Sequence, residues 1–209
     1  RFTGHATQEL TSLDAIQDYQ NEFRFHLPHE HRPAGRPAKT TPLTPILEQA
    51  GAHFTVVNGW ERSDYFKPTP DFVEDYGYSY TKVHELVAAE VARVQNHVAL
   101  AEVNGFNRIE ITGPGARDWL DYMICSRVPR KIGKVGLGYL LNDYGNVKAE
   151  ATIANLPDGR IWYGSAAAAE FHDMDWLSKH LPKDGSVTLR SLTNDHTILV
   201  LAGPKSRAV

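Results

Sequence analysis

The sequence predicts an α+β fold: a mainly antiparallel sheet with helices on one side. Three observations carry this. Short apolar strands alternate with helical stripes in the order β-α-β-β-β-α-β-β through the C-terminal half. The stretch from Gly138 to Leu156 reads as two apolar strands around the four-residue turn Asp143-Tyr144-Gly145-Asn146. A strand-turn-helix signal also occurs twice: Ile109-Glu110-Ile111-Thr112-Gly113-Pro114-Gly115-Ala116-Arg117 and Leu199-Val200-Leu201-Ala202-Gly203-Pro204-Lys205-Ser206-Arg207. In each copy a strand runs into Gly-Pro, and proline suits a first helical turn because its missing N–H has no intrahelical partner there. The doubling predicts a pseudo-repeated strand-turn-helix unit.

The elements follow in order. A helix is expected over Leu13–Phe25, with Ser12 as its cap and Leu13, Ile16, Tyr19 and Phe23 at helical spacing. The proline-rich basic stretch from Pro28 to Pro45 reads as an extended connector. A short helix over Leu43–Ala50 ends at Gly51. Thr81–His97 is the clearest helix, because Val83, Leu86, Val87, Val91, Val94 and Val98 form one stripe. After it come a strand (Arg108–Thr112), a helix (Ala116–Ser126) and the hairpin. On its second strand Val147, Ala149, Ala151 and Ile153 share one face, and Lys148, Glu150 and Thr152 the other. Pro157-Asp158-Gly159 turns into a strand over Arg160–Gly164. A helix over Ala167–His180 places Phe171, Met174 and Leu177 on one face. Strands over Val187–Leu192 and Thr197–Ala202 complete the order.

Bulk properties exclude several function classes. A chain of 209 residues with 42% hydrophobic and 22% charged residues has the composition of an ordinary globular protein. The formal charge of −3 provides no basic footprint for nucleic acid. The single Cys125 excludes an internal disulfide and a multi-cysteine metal site, and fits a reducing compartment. Its place after the apolar run Trp119–Ile124 predicts a packed thiol. No run approaches the length of apolar sequence a membrane helix needs, so no membrane partner is expected. The chain opens at Arg1 without an initiator methionine and ends within the turn begun by Gly203-Pro204. It is therefore expected to be a segment of a longer polypeptide, inactive by itself.

From Ala101 to Val209 the chain resembles the folate-binding domain of the aminomethyltransferase family, typified by the glycine-cleavage T-protein. Members read roughly D-x-S-x-x-x-K-[IF]-x-V-x-G-P-x-A, then L-N-x-x-G-G-[IV]-x-x-D-x-T-[IV], then L-x-L-x-G-P-x-[AS]-R. The matching stretches here are Glu102–Ala116, Leu141–Ile153 and Ile198–Arg207. Two further segments are similar to the branch fused to flavin-dependent dimethylglycine and sarcosine dehydrogenases: Pro28-His29-Glu30-His31-Arg32-Pro33 through Pro37, and Gly59-Trp60-Glu61-Arg62 with Tyr65-Phe66. The resemblance implies that residues 1–40 end a flavin-oxidoreductase half and its connector. Residues 41–209 would begin the folate-binding domain.

What the resemblance implies about the site starts from Glu150, which stands where the family carries a carboxylate, usually Asp, that contacts folate and manages its proton. A tetrahydrofolate nitrogen needs an acceptor for its N–H as it attacks a carbon electrophile, and a carboxylate in a partly dry site supplies one. Thr152 faces the same side and would bond the pterin or orient the carboxylate; an ordinary strand threonine is the alternative. Leu141 and Asn142 match the family's L-N before the turn, in the pterin pocket, while turn capping is the alternative for Asn142. Ser165 stands where the T-protein has an Asn-Ala pair, in the manner of the flavin-fused branch. Tetrahydrofolate is the implied cofactor of this segment, and FAD that of an upstream segment. The implied partners are a methylated amine, its one-carbon iminium and the rest of the same polypeptide. The implied compartment is the cytoplasm, or the mitochondrial matrix in a eukaryote.

Two other patterns are set aside. His26-Leu27-Pro28-His29-Glu30-His31 offers imidazoles and a carboxylate, but its spacing matches no structural zinc pattern, and the family carries P-H-E-x-R without metal; no metal is expected. Gly133, Gly136 and Gly138 do not form a dinucleotide fingerprint, since no G-x-G-x-x-G occurs. The leading expectation is a folate half that traps a one-carbon unit released by flavin-dependent N-demethylation. A stand-alone folate-dependent demethylase or aminomethyltransferase, and a non-catalytic folate-binding module, are the alternatives.

Overall fold

Residues 7–209 are described by a computed structural model, and they divide into two units. One runs to Asn104 and takes in Thr197–Val209; the other is Gly105–His196.

In the first unit, helix α1 is Gln8–Gln20, earlier than the expected Leu13–Phe25. Thr7 takes the cap, its hydroxyl oxygen accepting the Leu10 N–H at 3.2 Å. Ser12 instead lies inside the helix and donates to the Gln8 carbonyl at 2.9 Å. Phe23 and Phe25 fall past its end and are exposed. Helix α2 (Thr44–Gln49) precedes Gly51 as expected. Strands β1 (Ala52–Val57) and β2 (Trp60–Phe66) then form an antiparallel hairpin that the reading above omits. Its turn is Asn58-Gly59, with φ of 53° and 81°, the pair that a two-residue hairpin loop favours. Helix α3 (Lys82–Asn96) matches its expected span. Strand β3 (Ala99–Glu102) pairs antiparallel with β9 (Leu199–Ala202).

The connector is tied to this hairpin by one buried carboxylate. Glu61, the acid of W-E-R, is 4% exposed. It accepts from Arg36 Nε at 3.0 Å, from Arg36 Nη2, and from the Ala38 N–H at 2.7 Å. Beside it, Lys39 N–H donates to the Gly59 carbonyl and Glu61 N–H to the Lys39 carbonyl. The motif is a staple.

The second unit holds a five-stranded antiparallel sheet in the order β5-β6-β7-β4-β8. Its strands are β4 (Ile109–Thr112), β5 (Val135–Leu141), β6 (Val147–Asn155), β7 (Ile161–Gly164) and β8 (Thr188–Ser191). One face buries Ile109, Ile111, Leu140, Ala151, Ile153, Ile161 and Tyr163. Trp119 and Leu120 of α4 (Ala116–Met123) and Leu177 of α5 (Glu170–Lys179) complete that core. Each isoleucine or leucine among them contributes roughly 1.5–3 kcal/mol on full burial. The α+β class, the antiparallel pairing and the helices packed on the sheet agree with the expected fold.

Four expectations are corrected. The strand near the C-terminus belongs with β3, not with the main sheet. Residues 167–169 form a 3-10 turn before α5. Phe171 is exposed, and the inward face of α5 carries Glu170, Asp173 and Leu177. Cys125 is exposed, because α4 stops at Met123 and leaves it outside the helix.

The pseudo-repeat is present in detail. Gly113 and Gly203 have φ of 115° and 119°. A Cβ at either would overlap a backbone carbonyl oxygen, that of Ser186 or His97. In each copy the residue two places after the glycine donates to that same carbonyl, Gly115 N to Ser186 O and Lys205 N to His97 O, both at 3.0 Å. The registers correspond as well: Thr112 faces Thr188, two residues after Ser186, and Ala202 faces Ala99, two after His97.

Candidate functional site

The hairpin β5–β6 places the carboxylate singled out in the sequence. Alternation along β6 buries Ala151, Ile153 and Asn155 and leaves Glu150 and Thr152 exposed on the opposite face. Register then brings neighbours to them. Tyr139 lies opposite Glu150, and Leu137 opposite Thr152. The Tyr139 hydroxyl donates to Glu150; that bond, together with the carboxylate's charge, raises the tyrosine pKa above its ordinary value. Tyr139 is a site neighbour the sequence reading did not name. Counting outward from the Asp143–Asn146 turn already sets it across from Glu150.

Beyond Thr152 the next strand contributes Gly164, which puts no side chain on this face. The following row runs Val135, Ala154, Trp162 and Glu110 across four strands. There Trp162 Nε1 donates to Glu110 Oε2 at 3.1 Å. Val135 and Leu137 are 59% and 56% exposed. The face therefore offers an anionic acceptor, two hydroxyls, and an apolar floor with a bare strip at Gly164. Polar hydrogen-bonding groups and apolar surface thus lie side by side on one sheet face.

The other expected residues are distributed differently. Lys148 leaves the Glu150 neighbourhood: its Nζ lies 4.3 Å from the Trp176 ring centroid of α5, where the pairing slips between Leu140 and Leu141. Asn142 closes the hairpin, its Oδ1 accepting the Tyr144 and Asn146 N–H groups at 3.0 and 2.9 Å. Leu141, half-buried, precedes it at the strand end. Ser165 is 4% exposed. It accepts from Asn107 Nδ2 at 2.8 Å and donates to Asp173 Oδ2. Its backbone N–H donates to Asn107 Oδ1 at 2.9 Å. Glu150, Thr152 and Tyr139 thus come together, while Asn142 and Ser165 serve the turn and the buried network.

Two glycines within β5 have packing roles. A Cβ at Gly138 would press on Ile124 and Ile153, and one at Gly136 on Pro129. Arg117, the arginine of the first Gly-Pro copy, donates to the Pro129 carbonyl at 3.0 Å and to Asn155 Oδ1 at 2.9 Å. It holds the loop before β5 against the end of β6.

Comparison with known proteins adds the following. The family described as the GCVT N-terminal domain matches residues 43–209. The chain is 28% identical over 215 residues to mitochondrial dimethylglycine dehydrogenase of Homo sapiens, covering 100% of this chain and 24% of that protein. It is 30% identical over 178 residues to the mitochondrial pyruvate dehydrogenase phosphatase regulatory subunit of Mus musculus, covering 82% and 20%. The chain thus spans about a quarter or less of the length of these relatives. Among solved structures, glycine cleavage system aminomethyltransferase T from Bartonella henselae shares the fold, with a TM-score of 0.64, 24% identity, and coverage of 81% of this chain and 42% of that one.

Proposed function

The chain belongs to the family of the GCVT N-terminal domain, and from that premise we propose that it is the folate-binding part of a flavin-dependent N-demethylating dehydrogenase or oxidase. Its substrate would be a methylated, glycine-type amine, and the one-carbon unit removed would be trapped instead of escaping as formaldehyde. The kinship with dimethylglycine dehydrogenase over the whole chain supports this reading. The observation that carries it is the exposed carboxylate of Glu150, flanked by Thr152 and Tyr139 on the face described above.

Bound tetrahydrofolate would supply the amine nitrogen that takes up the one-carbon unit. The chain's own residues would position it and move a proton. Glu150 would accept the ring N–H, with Tyr139 holding the carboxylate in place. Thr152 would bond a polar edge of the ring, and Leu137 and Val135 would cover its apolar surface. FAD is assigned to another part of the polypeptide, since no dinucleotide fingerprint lies within these residues. Among the described residues no helix is long and apolar enough to cross a membrane. The mitochondrial relatives favour the matrix in a eukaryote, and the cytoplasm is the counterpart in a bacterium.

One observation favours a second reading. Glu150 replaces the family's usual Asp and is exposed, and one relative is a regulatory subunit; a folate-binding module without proton transfer fits both facts. The shared requirement is folate binding at this face. Calorimetry of the intact polypeptide with tetrahydrofolate is expected to give micromolar binding. Thr152→Arg, which fills the strip beside Gly164, is expected to weaken it about tenfold or more, on the order of 1.4 kcal/mol. Absence of binding in the parent protein, or indifference to Thr152→Arg, would remove both readings.

A further inference from the structure

We propose that His31, His53 and Glu74 form a binding site for a divalent transition metal of the zinc class, one that ties the connector, the β1–β2 hairpin and the loop after it together. The three residues come from three separate segments of the first unit. They offer one ligand atom each, all within 4.8 Å of one another. Tetrahedral zinc at its usual bond lengths of about 2.0–2.1 Å sets its ligands about 3.4 Å apart, so a shift of roughly an ångström closes the site.

Two unpartnered ring nitrogens point to a metal at this place. His31 Nε2 and His53 Nδ1 are both buried, and neither has a hydrogen-bond partner. Buried ring nitrogens are ordinarily satisfied, and a metal satisfies both together. His31 Nε2 lies 3.9 Å from Glu74 Oε2 and equally far from Asp64 Oδ2, a carboxylate at the edge of the three-residue group.

The surrounding shell is the one such ligands use. His31 Nδ1 lies 3.2 Å from the Thr55 hydroxyl. With the proton on that nitrogen, Nε2 carries the lone pair. The Tyr65 hydroxyl donates to Glu74 Oε2 at 3.2 Å, and the Tyr65 ring stacks on His53 with centroids 4.8 Å apart.

The run His26-Leu27-Pro28-His29-Glu30-His31 is not by itself the chelator. Glu30 is engaged by Arg24 and by the Leu27 N–H, and His26 and His29 do not enter the cluster. The proposed donors lie at the variable position of P-H-E-x-R and at residues that motif does not include. The expectation of no metal weighed the run alone; the chemistry becomes visible only when β1 and the segment after β2 fold beside it.

The test uses the intact polypeptide, purified without a histidine tag and stripped with a chelator. Titration with zinc alone is expected to show about one equivalent bound at micromolar or lower concentration. His53→Gln and Glu74→Gln should each weaken binding about tenfold or more, while His29→Gln should leave it unchanged. Cobalt added to the wild-type protein should give the intense visible bands of a tetrahedral site, bleached by zinc, a readout that does not depend on any variant folding. No zinc uptake and no cobalt bands at tens of micromolar would overturn the proposal. So would a His53→Gln protein that titrates like the wild type.

Discussion

Asp173 is fully buried, and its oxygens are taken up by neighbours: the Tyr163 hydroxyl at 2.9 Å, the Ser165 hydroxyl, and His172 Nδ1 at 2.9 Å. Burial, and next the Asp173 charge, push the Tyr163 phenol well above its ordinary pKa, so it stays a proton donor to that carboxylate. Tyr163→Phe keeps the ring in the core and deletes one hydrogen bond to a charged acceptor. Urea unfolding is expected to show a loss of about 1.5–3 kcal/mol, and an unchanged midpoint would mean the bond contributes nothing. The same network takes up Ser165, and its partner Asp173 lies inside a helix, where nothing in the sequence links the two. For Glu150 the alternation of β6 gave the face, but the partly dry site expected around it is an exposed sheet face here, because no element of its unit covers that side.

At the scale of elements, the two Gly-Pro turns carry the clearest local constraint. Gly113→Ala introduces both a strained φ and an overlap with the Ser186 carbonyl oxygen. Gly185→Ala meets only the strain, since φ is 74° and no heavy atom lies within 4 Å of the added Cβ. Thermal or urea unfolding should therefore rank them, with about 1–2 kcal/mol lost at Gly185 and about 3 kcal/mol or more at Gly113. Equal losses would contradict the close packing of the repeat. The motif itself was legible because proline and glycine punctuate the chain strongly. Helix α3 and the β5–β6 hairpin were legible through their periods of 3.6 and 2. The start of α1 was not, because Thr7 and Ser12 are both competent caps and the choice depends on the whole first turn. Strand β3, Ala99-Leu100-Ala101-Glu102, has little β propensity and exists through pairing with Leu199–Ala202, about a hundred residues away. Asn58-Gly59 is a readable hairpin signal, and it does turn β1 into β2.

Over the whole molecule, the sequence was most legible where strand register fixes which residues are neighbours, and least legible where residues from distant segments come together. The Glu150 face belongs to the first kind, with Tyr139 recoverable by counting from the turn. Glu61 with Arg36, and His31 with His53 and Glu74, belong to the second. The division of the chain was hidden too: the second unit begins at Gly105 and ends at His196, where no proline-rich or charged linker marks a boundary. The central claim is that Glu150 manages a proton while a one-carbon unit is trapped. Its most direct measurement is the ratio of folate-bound to free one-carbon product during turnover of a methylated amine by the intact enzyme. Glu150→Gln keeps the shape and removes the charge. Amine consumption should continue, free formaldehyde should rise, and the trapped fraction should fall by about a hundredfold, the scale of a positioned general base. Glu150→Asp, the usual family residue, should retain trapping. A Glu150→Gln enzyme that traps the one-carbon unit as well as the wild type would contradict the account and leave Glu150 a surface residue bonded to Tyr139.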